Sequence, residues 1–93
     1  MLFVTLLTLK PTAKLEEAMQ RRAQWKEPEG IKPIAEYWLL ANTPHVISID
    51  EADGIASLMA ATAPWTEVFN ISVSPAVTAE EGLKLASQIM PKA

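Results

Sequence analysis

The sequence predicts an α+β fold, a four-stranded antiparallel sheet carrying helices on one face. Three observations lead there. Segments with strand and helix periods alternate in the order β-α-β-β-α-β-α along 93 residues. Residues Ile34–Glu51 contain two runs rich in aromatic and β-branched side chains, parted by Asn42-Thr43-Pro44, the pattern of a β-hairpin. Right-handed crossovers join these pieces into a ferredoxin-like sheet of order 4-1-3-2 with two helices on one face. A chain this short holds one domain, residues 1–93.

The first strand is Leu2–Leu9, with Leu2, Val4 and Leu6 on one face and Phe3, Leu7 and Leu9 on the other. Apolar groups on both sides mark a strand in the middle of a sheet. Thr12–Lys26 follows as a helix, with Thr12 as N-cap and Leu15, Ala18, Met19 and Trp25 as its inner stripe. Arg22 falls inside that stripe, its stem packing and its head reaching solvent or an anion. Two prolines and a glycine make Lys26–Pro33 a loop.

In the hairpin, a two-residue connection between Asn42 and His45 sets Leu40 opposite Ile47, Trp38 opposite Ile49 and Tyr37 opposite Asp50. One face then holds Ile34, Trp38, Leu40, Ile47 and Ile49 and belongs in the core. The other holds Ala35, Tyr37, Leu39, Val46, Ser48 and Asp50. A second helix starts at Asp50–Gly54 with Asp53 as N-cap, buries Ile55, Leu58, Met59 and Thr62, and stops before Pro64. Pro64–Thr66 is a turn. Glu67–Pro75 is a fourth strand, its Pro75 fitting a sheet edge or a strand end. Thr78-Ala-Glu-Glu81 is a capping box that opens a third helix, with Leu83, Ala86, Ile89 and Met90 inward and Pro91 beyond it.

The whole-chain numbers exclude more than they assign. A net charge of −3 and a pI near 5.0 argue against nucleic acid as a partner. No apolar run approaches the length of a membrane span. The N-terminal run ends at Lys10-Pro11 without a basic start or a small-residue cleavage site, so it is not a signal peptide. The expected location is the cytoplasm, which the absence of Cys fits only weakly. A single His makes a metal site improbable, and no cofactor is expected. Helices on one face leave the other apolar face open, which calls for a partner. The economical partner is the same face of a second copy, in a homodimer or a higher even oligomer.

Several stretches carry a resemblance. Met1-Leu-Phe-Val, Arg21-Arg22-Ala23, Pro28-Glu29-Gly30-Ile31-Lys32, Tyr37-Trp38, Val46–Asp53 and Ala63–Val77 together resemble the dimeric α+β barrel superfamily, and within it the DUF3303 family. The Pro-Glu-Gly and Pro-Trp segments are the most specific of these pieces. Val46–Pro75 is also similar to the corresponding part of muconolactone isomerases. The resemblance implies a dimeric α+β barrel and leaves the chemistry open.

Within such a barrel, Tyr37, Ser48, Asp50, Asn70 and Ser72 are candidates to line a pocket for a small apolar or aromatic molecule. They equally suit pairing across a dimer seam. Burial would raise the pKa of Asp50 and make it a candidate base, although an Asp before a helix more often caps backbone N–H groups. His45 is the one group titrating near neutrality, at a hairpin tip where exposure is the ordinary outcome. Trp38 and Trp65 read as anchors of core and turn. Three functions follow: a small-molecule binding dimer, an isomerase or cofactor-independent monooxygenase using Asp50 or His45 as base, and an interaction domain with a filled barrel.

Overall fold

A computed structural model describes residues 1–90. Strands β1 (Leu2–Leu9), β2 (Ile31–Trp38), β3 (Val46–Ala52) and β4 (Phe69–Ala76) form one antiparallel sheet in the order β2-β3-β1-β4. Helices α1 (Leu15–Ala23), α2 (Ile55–Thr62) and α3 (Ala79–Ile89) complete the expected order. β1 is interior, with β3 on one side and β4 on the other, as its two apolar faces require. β2 and β4 are the edges, where Pro33 and Pro75 are tolerated.

The core lies on one side of the sheet. Phe3, Leu7, Val46, Ala52 and Phe69 are buried against Ala18 of α1, Leu58 of α2 and Trp65 of a 3-10 turn at Ala63–Glu67. That turn lets the chain leave α2 at Pro64 without opening into a loop, since proline fits the first positions of a helical turn. Gly30 leads into β2 with φ +86°, and a Cβ there would lie 2.5 Å from Ser57 Oγ. Only glycine suits it.

The hairpin differs from expectation in register. A two-residue turn needs positive φ at its central positions. The β-branched Thr43 and ring-locked Pro44 do not supply it. The chain instead spends residues 39–45 on the connection, closed by Leu39 N–H donating to the His45 carbonyl at 2.7 Å. Trp38 now pairs with Val46 and Tyr37 with Ile47, a slip of three residues from the expected pairing. An odd slip exchanges faces. Trp38, Val46, Ser48 and Asp50 therefore share the helix-covered face, and Tyr37, Ile47 and Ile49 share the open one. Ile34 lies in a register irregularity, unpaired, and Leu40 is fully exposed in the connection.

The helices also deviate from their predicted stripes. α1 starts at Leu15 without a side-chain cap, so Thr12 is not its N-cap. Ala18 is buried while Leu15 and Met19 are exposed. Trp25, Trp38 and Trp65 bulk out the layer between sheet and helices, and the small Ala18 is what meets the core. Residues 50–52 pair within β3 and cannot begin a helix, so Gly54 replaces Asp53 as the N-cap of α2. Leu58 is buried there, whereas Ile55 and Met59 are exposed. Thr78 caps α3 as expected, its Oγ1 accepting from Glu81 N–H at 3.1 Å. Leu83, Ile89 and Met90 nonetheless face solvent. Pro91 lies outside the described residues. No helix among the described residues is long and apolar enough to cross a membrane.

Candidate functional site

A cavity of about 70 Å³ opens between the sheet and its helices, against the roughly 10–15 Å³ that one water needs. Alternation along the strands decides its lining. Thr5 and Leu7 point into it from β1, Val46, Ser48 and Asp50 from β3, and Glu36 and Trp38 from β2. Its apolar end is aromatic. Trp25 meets Trp65 edge-on at 5.5 Å, Trp65 leans on Phe69 at 5.9 Å, and Phe69 meets Trp38 edge-on at 6.3 Å. All three tryptophans of the chain stand around this one space.

The predicted site residues separate into two groups. Ser48 and Asp50 line the cavity together. Tyr37, Asn70 and Ser72 lie on the open face, at the level of Ile47, Thr8 and Leu6. His45 precedes β3 and is not part of the cavity wall; its Nδ1 is buried without a hydrogen-bond partner among the described residues. Sequence reasoning missed Thr5, Trp25, Glu27 and Glu36 as lining. No local signal in the hairpin fixes which face Glu36 shares with Ser48; the register does so.

These features belong to a chain whose residues 1–90 match one family model, described as Domain of unknown function (DUF3303). The chain belongs to the DUF3303 family. No curated protein matches it, and no solved structure does. The similarity of Val46–Pro75 to muconolactone isomerases therefore has no support from these comparisons.

The polar end of this DUF3303 domain's cavity is dominated by carboxylates. Asp50 is 7% exposed, and its Oδ2 accepts from Ser48 Oγ at 2.8 Å. Burial pushes its pKa above the usual carboxylate range, the Ser48 hydrogen bond pulls the other way, and Glu36 adds to the rise. The expectation that this Asp caps a helix does not hold, because it sits inside β3 opposite Phe3. Glu27 is also raised, first by burial and then by the charge of Asp50. Glu36 accepts from Arg22 Nε at 2.9 Å and from Trp38 Nε1 at 2.8 Å. The Arg22 hydrogen bond to Glu36 raises the pKa of Arg22 and sets a carboxylate directly against its guanidinium. Three acids face one base here.

Proposed function

We propose that this domain binds a small aromatic or apolar molecule whose polar end donates a hydrogen bond or carries positive charge. The observation behind this reading is the pairing of an aromatic chamber with Asp50 at its far end. Four residues along β3 separate Val46 from Asp50, about 13 Å of strand. The 70 Å³ present is about half of a benzene-sized cavity, so a one-ring molecule lies against Trp65 and Phe69 and reaches Asp50 with an outward shift of the aromatic wall. Trp faces also favour cations through their quadrupoles. The acid-rich lining disfavours an anion.

Benzylamine and phenylacetate, equal in shape and opposite in charge, test this. Benzylamine at millimolar concentration is expected to shift the amide signals of Thr5, Leu7, Val46 and Ser48 and to quench tryptophan fluorescence. Phenylacetate is expected to do so more weakly. No response to benzylamine, or a stronger response to phenylacetate, defeats the proposal. A second reading rests on the buried Asp50 lining the cavity beside Ser48: a carboxyl whose pKa burial raises suits an acid-base role in an isomerisation without a cofactor.

The same reading includes a homodimer formed by two open sheet faces. Leu2, Val4, Leu6, Ile47, Ile49 and Tyr37 share that face, which no helix among the described residues covers; Leu6 and Tyr37 are exposed. An apolar face of this extent marks an association surface. Light scattering after size exclusion is expected to give twice the chain mass of 10.2 kDa. Ile47→Glu with Ile49→Glu is expected to give the monomer. A monomeric parent chain would contradict the dimer.

A further inference from the structure

We infer that α3 is an intermolecular arm, packing its apolar side on a second copy of this chain; the inference rests on the homodimer reading above. Three observations carry it.

The first is the side-chain pattern of α3. A step of 100° per residue places Ala79, Gly82, Leu83, Leu85, Ala86, Ile89 and Met90 on one arc, and Glu80, Glu81, Lys84, Ser87 and Gln88 on the other. A helix so clearly two-sided is built to be covered. Yet α3 has no buried residue, and Leu83, Ile89 and Met90 are 72%, 77% and 67% exposed. Gly82 and Ala86 alone on that arc are half-buried.

The second is where α3 goes. A compact domain of this length has a radius of gyration of about 12 Å. The value here is 15.6 Å, and the long axis is 52 Å. Strands of eight residues span about 26 Å, half of that axis, and α3 running on past the sheet for about 16 Å supplies most of the rest. Only Val77 and Thr78 join β4 to α3, and Thr78 is held by its cap. The Asp53-Gly54 link into α2 is equally short, yet α2 turns back over the sheet and buries Leu58, whereas α3 buries nothing.

The third is area. The footprint of the four-stranded open face is about 500 Å² at 4.8 Å per strand. A stable interface takes about 800 Å² from each partner. The apolar side of α3 adds about 160 Å², from a helix roughly 16 Å long and 10 Å wide. An arm reaching across the seam supplies surface that the flat sheets lack, and it has its own uncovered face to bury. The charged side of α3, with Glu80 and Lys84 as an i,i+4 pair at 3.9 Å, remains in solvent in that arrangement.

The test uses dimers mixed from carbon-13-labelled and unlabelled full-length chains, with isotope-filtered NOE spectra. The methyl groups of Leu83 and Ile89 are expected to show contacts between chains. Leu83→Lys with Ile89→Lys replaces two exposed side chains and leaves the fold intact by circular dichroism. It is expected to weaken the dimer about tenfold or more in concentration-dependent light scattering. A dimer whose Leu83 and Ile89 methyls show contacts within the chain only, or whose affinity the two lysines leave unchanged, overturns the arm while the sheet-to-sheet dimer stands. A parent chain that stays monomeric overturns both.

Discussion

Phe69→Ala is expected to lower the unfolding free energy by about 3–5 kcal/mol, the range for emptying a buried aromatic site. Phe69 is 1% exposed and lies between the rings of Trp65 and Trp38. It also packs in the cluster that holds Leu7, Ala18 and Val46, so its loss opens the core where sheet, α1 and turn meet. A domain of 93 residues has about 5–14 kcal/mol in total. The substitution thus removes a large share of the stability. Urea denaturation followed by tryptophan fluorescence measures it directly. Leu40→Ala, at a fully exposed position, serves as control and is expected to stay within about 0.5 kcal/mol. A Phe69→Ala effect no larger than the control would contradict the packing described.

Asp50→Asn is expected to act in two opposite directions. Burial raises the folded-state pKa of Asp50 above its ordinary 3.8, so ionising it opposes folding. The unfavourable contribution is absent below about pH 3.8, grows as pH rises above that value, and is complete above the folded-state pKa. Asparagine keeps the shape and removes the charge. The variant is therefore expected to melt higher than the parent at pH 7, by about 4–8 °C for each kcal/mol recovered. The gap should close as the pH falls below about 3.8. Affinity for benzylamine should fall by about 10- to 100-fold, as for loss of a hydrogen bond to a charged group. Equal melting temperatures at pH 7 would contradict the cause given for the pKa rise. Unchanged benzylamine affinity would remove Asp50 from the proposed site.

The sequence alone determined much of the framework. The order of elements, the full span of β1, its interior place in the sheet and the Thr78 cap all follow from local patterns. Period, turn residues and capping act within a few positions of one another, so they are written in the chain itself. The cavity was not legible in that way. Ser48 and Asp50 were expected in a barrel pocket on the open face, and a slip of three residues instead set them beside Trp38 on the helix-covered face and left Tyr37 on the other. Local hydrophobic pattern did not resist the slip, because both faces of the hairpin offer apolar groups and register is weakly specified in such strands.

Tertiary structure alone decided which apolar residues are core. Leu58 and Ile55 look alike in sequence, as do Ala18 and Met19, yet only Leu58 and Ala18 are buried. The three tryptophans are 13 and 27 residues apart along the chain and meet only because β2, α1 and the 3-10 turn converge on β1 and β3. For α3 the sequence specified an amphipathic helix correctly, but whether its apolar side finds cover within the chain depends on where the helix is placed relative to the sheet. Burial is a property of distances between segments, and a periodic pattern states only that a face is fit to be buried.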